Sequence, residues 1–275
     1  MFAKAFKLAS NYTLPVLVSS RFYDGTVESG IGSFVIINKE GWIVTAAHIL
    51  QGIQTQQQDF ASLNTFKNSL NTNTNQKPNP KWLVNHSLWF GADHHVIKQF
   101  HILLENDLAI GKIENFNPSF IKNYPVFKNK HSIEPGTSLC KLGFPFYDVK
   151  ASFDESKDSF RFDPTIFPIP FFPIDGIMTR NIVSGKSPDG QYEYKWLETS
   201  SPGLKGQSGG PTFDKEGKIW AIQSQTRHLP LGFTPKIQNG EKEIVENQFL
   251  NVGWGIHVEN ILKFLDSYNV KYQID

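Results

Sequence analysis

A chain of 275 residues is long enough for one large domain or two small ones, each with a substantial core. Its 27 basic and 26 acidic residues nearly cancel, to a formal charge of +1, and form no long run of one sign, so nucleic-acid or anionic-membrane binding has no electrostatic basis. The lone Cys140 excludes an internal disulfide and leans toward a reducing, cytoplasmic setting, and no stretch approaches the roughly 18 apolar residues of a membrane span.

In chain order, residues 1–8 suggest a short helix. Polar residues interrupt the segment before an apolar core of signal-peptide length can form, and Pro15 follows. Short apolar runs bounded by turn residues then mark β-structure, with strands expected at 14–19, 32–37 and 42–46. Asn38-Lys39-Glu40-Gly41 supplies the turn between the last two. Residues 51–80, rich in Gln, Asn and Thr, read as a long loop that is partly helical around 59–70. Residues 115–124 read as a linker between two β-units of similar size, 1–120 and 121–275.

Residues 147–175 are crowded with Phe and Pro. Prolines cannot donate to a sheet ladder, so an extended surface loop is expected, its phenylalanines packed across the body of the protein rather than forming a lid. Strands at 211–213 and 219–224 flank Asp214-Lys215-Glu216-Gly217, a turn nearly identical to the first, as a two-unit duplication would produce. Ile261, Leu262, Phe264 and Leu265 define one apolar face, so an amphipathic helix over 258–268 closes the chain.

Three segments carry chemistry. In Gly206-Gln207-Ser208-Gly209-Gly210-Pro211, glycines let the backbone turn so that N–H groups converge beside a serine, which needs a base and an oxyanion-stabilising site to act as a nucleophile. Val44-Thr45-Ala46-Ala47-His48 ends a strand with a histidine behind small residues. Asn106-Asp107-Leu108-Ala109-Ile110 places an acid at the head of an apolar strand, where it is costly unless paired; an imidazole N–H is a suitable partner.

The order His, Asp, Ser and the segments T-A-A-H, N-D-L-A-I and G-x-S-G-G-P resemble the chymotrypsin-like serine peptidases. Leu142-Gly143-Phe144-Pro145-Phe146, the run from Thr179 to Gly185, and Gly253-Trp254-Gly255-Ile256-His257 are similar to the bacterial high-temperature-requirement branch in particular. The resemblance runs from about residue 14 to residue 265 and lacks that branch's peptide-binding regulatory domain. It implies an all-β fold of two perpendicular six-stranded β-barrels with a C-terminal helix. His48 and Asp107 would come from the first barrel and Ser208 from the second, with the oxyanion hole made by the N–H groups of Gly206 and Ser208. Ser224 matches a position that supports the acid, and a role lining the substrate groove is the equal alternative. Pro202, Thr226 and Gly253 are expected among the pocket walls.

Where animal digestive enzymes carry an acid before the serine, this chain has Gln207, so activation through a newly cut N-terminus is not expected. Pro202, six residues before Ser208, stands where trypsin-like specificity places an acid, which argues against a preference for Arg or Lys. The implied activity is hydrolysis of protein or peptide substrates, without cofactor or metal. A regulatory partner could act through 51–80 or 147–175. Two rival readings are a silent or partner-gated binding module and an α/β-hydrolase esterase. The second needs a helix after the serine, where Gly-Gly-Pro and a hairpin follow instead. His86, His94, His95 and His101 fit no firm metal-ligand spacing.

Overall fold

The apolar runs of the first 113 residues pair, in the computed structural model of the chain, into one antiparallel sheet. The structure describes residues 1–69, 77–129, 133–240, 242–245 and 248–275. Helix α1 (Ala3–Tyr12) leads into β1 (Thr13–Phe22), β2 (Val27–Ile36) and β3 (Trp42–Ala46). After a 3-10 turn over Ala47–Leu50 come α2 (Gln51–Ser69), β4 (Leu83–Phe90), β5 (Ile97–Leu103) and β6 (Leu108–Ile113). Their order in the sheet is β4-β1-β2-β3-β6-β5. Central segments such as Phe34 to Ile36 and Leu108 to Ile110 are buried on both faces, which explains why they read as continuous apolar runs rather than alternating ones.

The second half holds β7 (Val126–Phe127), β8 (Ser138–Lys141), β9 (Ala151–Asp154), β10 (Ser159–Phe162), β11 (Ile174–Lys186), β12 (Glu193–Thr199), β13 (Pro211–Phe213) and β14 (Ile219–Pro230). They are followed by β15 (Lys236–Asn239), β16 (Lys242–Val245), β17 (Phe249–His257), α3 (Val258–Ser267) and β18 (Gln273–Ile274). Strands run in the order β13-β8-β11-β12-β17-β14, and β13 also pairs with β14, so this ring of six closes. Short β7 pairs in parallel with the start of β14, and β18 pairs in parallel with β7.

The architecture is mostly β, as expected, and of the chymotrypsin-like kind, with one refinement. The second sheet is a closed six-stranded barrel, whereas the first is a six-stranded half-barrel in which no β4–β5 pairing occurs among the described residues. The free edge of β4 is met by α2 instead. Gln56 Nε2 donates to the Val84 carbonyl (3.1 Å), and Asp59 Oδ2 accepts from Leu83 N (2.9 Å). Covering an edge in this way satisfies its backbone groups and blocks pairing with other chains.

Helix α2 includes the helix expected around 59–70 and corrects the loop expected over 51–58. Residues 51–69 form one continuous helix, while 70–76 lie outside the described residues. Residues 147–175 need a correction too. They contain the β9–β10 hairpin, because the prolines are confined to its C-terminal side and leave 151–162 free to pair. Their aromatic rings do pack across the body: Phe171 lies 4.8 Å from Phe144 and 5.9 Å from Phe6, and Phe167 lies 5.0 Å from Trp89.

The matched turns fold alike. Asn38 Oδ1 accepts from Glu40 N (2.9 Å) and Asp214 Oδ1 from Glu216 N (2.9 Å), and the glycine closing each turn has φ near +80° (Gly41 +83°, Gly217 +82°), which favours glycine. At the C-terminus, Ile261, Leu262, Phe264 and Leu265 are buried on one face of α3. His257 Nδ1 caps that helix by accepting from Glu259 N (3.2 Å), and burial pushes this imidazole down to about 4.

Candidate active site

Strands β3 and β6 pair to their ends, Ala46 opposite Leu108, so the residues just beyond, His48 and Asp107, are brought together by the ladder itself. Ala47 N donates to the Asp107 carbonyl (2.8 Å). His48 N donates to Asp107 Oδ1 (2.8 Å), and His48 Nδ1 lies 2.8 Å from Oδ2. Asp107 adopts a left-handed backbone (φ +51°), a conformation Asp tolerates better than most residues, and this turns its carboxylate back toward the histidine. Ser224, on β14, donates from Oγ to Asp107 Oδ2 (2.5 Å). The acid is thus held by two N–H donors and one hydroxyl, with its side chain 19% exposed against 45% for His48. Nδ1 as donor leaves His48 Nε2 as the basic nitrogen.

Ser208 sits on a loop clamped between the two sheets. Ser33 of β2 donates from N to the Ser208 carbonyl (2.7 Å) and from Oγ to the Gly206 carbonyl (2.8 Å), and Phe144 N also donates to Gly206 (3.1 Å). Gly206 (φ +100°) and Gly209 (φ +84°) are required twice over. Their backbone angles favour glycine, and a Cβ would lie 2.5 Å from the Phe144 carbonyl oxygen at Gly206 and 2.0 Å from the Ser33 carbonyl oxygen at Gly209. Among the described residues the N–H groups of Gly206 and Ser208 donate no hydrogen bond. The Ser208 hydroxyl donates to the Ser224 carbonyl (3.2 Å) and forms no hydrogen bond with His48.

Gln207, fully buried, accepts from Leu204 N at Oε1 (3.1 Å) and donates from Nε2 to the Phe172 carbonyl (3.3 Å), tying the loop to the segment after the β9–β10 hairpin. Pro202, Thr226 and Gly253 form a second cluster. Thr226 Oγ1 hydrogen-bonds the Gly203 carbonyl, and Gly253 lies opposite both Thr226 and Thr199 in register. Beneath them is a residue that sequence reasoning missed, Lys141. Its buried ammonium donates to Thr199 Oγ1 (3.0 Å) and to the carbonyls of Ser201 (2.6 Å) and Pro202 (2.7 Å). Burial pushes it down to about 7. The only sequence signal was a lysine inside the apolar run Leu139-Cys140-Lys141-Leu142.

Other reactive side chains are held elsewhere. Burial pushes the Cys140 thiol up to about 12, which keeps it protonated and inert. His86 faces Ser20, His95 the Phe90 carbonyl, and His101 stacks on Tyr268; among the described residues no group of three metal-ligating side chains forms. After Ser208 the chain enters β13 of an antiparallel barrel, so the strand–serine–helix arrangement of an α/β-hydrolase is absent here. Among the described residues no helix is long and apolar enough to cross a membrane.

Residues 32–222 match the family described as trypsin-like peptidase domain. Solved structures similar in fold include the Rv3671c protease from M. tuberculosis in its active form, at 11% identity and TM-score 0.54, over 98% of this chain and 86% of that one. The HtrA-type protease AlgW with a tripeptide is 17% identical with TM-score 0.52, over 97% of this chain and 63% of AlgW. No curated protein matches this chain in sequence.

Proposed function

The chain belongs to the trypsin-like peptidase family, and from that premise we propose that it cleaves peptide bonds with Ser208 as nucleophile, His48 as base and Asp107 as the partner that orients it. As a family member it is a serine endopeptidase; the assignment of residues is the reading offered here. The observation that carries it is the Asp107 carboxylate bonded to His48 Nδ1 and the Ser224 hydroxyl, beside a serine whose own N–H and that of Gly206 have no acceptor among the described residues. In this reading residues 1–120 supply base and acid, and 121–275 supply the nucleophile.

The Ser208 hydroxyl first turns from the Ser224 carbonyl toward His48 Nε2. Nucleophile–base hydrogen bonds are often loose before substrate binds. Nε2 takes the proton as Oγ attacks the peptide carbonyl, and the N–H groups of Gly206 and Ser208 stabilise the oxyanion. The imidazolium, supported by Asp107, passes its proton to the leaving amine, which departs and leaves an acyl-enzyme. Water, deprotonated by His48, then releases the acid and restores Ser208. AlgW is seen with a tripeptide, which supports peptides as the substrate class for this fold.

A partner-gated enzyme is a second reading. Two observations favour it: the Ser208 hydroxyl is bonded away from His48, and Gln207 links the nucleophile loop to Phe172, within the 147–175 segment that a partner could pull. A fluorophosphonate probe tests the nucleophile directly. We expect labelling of the wild type and its complete loss in Ser208→Ala; labelling that survives the substitution refutes the assignment.

A further inference from the structure

A cation without a counter-charge lies under the wall segments beside Ser208. Lys141 is 1% exposed, and among the described residues no carboxylate pairs with it. Its three protons go to neutral oxygens: Thr199 Oγ1 and the carbonyls of Ser201 and Pro202. Those carbonyls belong to the stretch leading into Ser208. The opposite wall starts at Ser224, whose carbonyl holds the Ser208 hydroxyl, and continues to Thr226, which bonds across to the Gly203 carbonyl. The third wall is Gly253. A side chain there would be aimed at the ammonium, since a Cβ would lie 2.7 Å from Lys141 Nζ. The ammonium therefore lies beneath the three segments, which close over it in the resting form.

Holding an ammonium among neutral dipoles is costly, because its attraction to carbonyls does not replace its hydration. The burial that pushes Lys141 down reflects the same cost. A carboxylate brought into the recess supplies what the fold omits. The exchange needs little rearrangement: Thr199 Oγ1 also has the Ser201 carbonyl at 3.1 Å and the Gly253 carbonyl at 3.3 Å, so releasing one lysine proton leaves that hydroxyl a partner. A Cβ at Gly253 would also meet the Ser201 carbonyl oxygen (2.8 Å) and Thr199 Oγ1 (2.9 Å), so the space over the ammonium is filled in the resting form and opens only as these groups part.

We propose that Lys141 is a specificity-determining residue that selects aspartate or glutamate on the acyl side of the cleaved bond. This deepens the peptidase reading above and rests on Ser208 being the nucleophile. The substrate side chain enters between the two walls, parting the Thr226–Gly203 hydrogen bond, and its carboxylate takes a proton donor from the Lys141 ammonium. An uncharged isostere of the same size fits the space but leaves the cation uncompensated.

The test compares pairs of otherwise identical peptides, Glu against Gln and Asp against Asn at the cleavage position, with each enzyme preparation normalised by fluorophosphonate labelling. A charge-assisted hydrogen bond predicts a kcat/KM ratio of roughly 10- to 100-fold in favour of the acid in wild type. In Lys141→Met the ratio falls to about one while the Gln peptide is still cut. Cleavage with equal rates for Glu and Gln in wild type overturns the proposal without any variant having to fold, as does an unchanged ratio in Lys141→Met. Labelling of Ser208 with no cleavage of either peptide of a pair also counts against it. Failure of both labelling and cleavage overturns the nucleophile reading as well, so the two failures are told apart.

Discussion

The two halves of the site differ in how far folding alone satisfies them. On the first sheet, the Asp107 carboxylate accepts from the backbone and ring of His48, both placed by the β3–β6 ladder, and Ser224 adds a hydroxyl from across the interface. On the second barrel the corresponding side chains rest on neutral partners. Ser208 leans on a carbonyl, Lys141 on two carbonyls and a hydroxyl, and Thr226 on the Gly203 carbonyl. His48 and Asp107 are set in place by local pairing, whereas Ser208, Lys141 and Thr226 are closed on neighbouring groups in the resting form. A nearby contrast sharpens the point. Glu198, also buried, receives Arg180, Trp254 and Thr179, and these hydrogen bonds outweigh the opposing effect of burial and hold its carboxyl below the usual range. Lys141 has no such charged partner among the described residues.

The largest expected effect breaks the preorganised half. Asp107→Asn keeps the shape but cannot fix the imidazole tautomer or support the imidazolium, so kcat should fall about 10³- to 10⁴-fold with an unchanged unfolding transition. A loss below tenfold in kinetic assays means Asp107 does not serve His48. A smaller effect is expected on the second half. Gln207→Ala removes the tie between Leu204 N and the Phe172 carbonyl, loosening the peptide that presents Gly206 N–H; kcat should drop about tenfold with little change in KM. If KM alone moves, Gln207 shapes substrate binding rather than the oxyanion site.

The smallest effect is a pH slope. Lys141 is pushed by burial from the ordinary 10.5 to about 7, so between those values the unfolded chain binds more protons than the folded one. Stability to denaturant should therefore rise as pH increases through that window, and the rise should shrink in Lys141→Met. Equal slopes in both proteins, measured by chemical denaturation at several pH values, show that the ammonium is better solvated than its burial implies.

Much of the scaffold was legible from local pattern. The strand at 42–46 coincides with β3 because Gly41 ends the turn before it and the chain turns away at Ala47, leaving one short, mainly apolar run. Helix α3 followed from its apolar face. Helix α2 was legible only around 59–70, because its Gln-rich sequence has no apolar stripe and Leu63 is its one buried residue; its side-chain amide and carboxylate dock on the edge of β4. The β9–β10 hairpin was hidden by prolines that cluster just beyond it. Gln207 was read only for the acid it replaces, since nothing local shows that its amide reaches Phe172.

By itself the sequence determined the β class, the family resemblance and the three residue types set in His, Asp, Ser order, because strand periodicity, turn glycines and short motifs are written in neighbouring residues. Only the tertiary structure decided which groups meet. Ser224 reaches Asp107 across 117 positions, Ser33 reaches Gly206 across 173, and Lys141 reaches the Pro202 carbonyl across 61. Those contacts depend on how one sheet curls and the other closes. Whether a serine meets an aspartate or a lysine lies under the Ser208 loop is set by that closure, which no local pattern encodes.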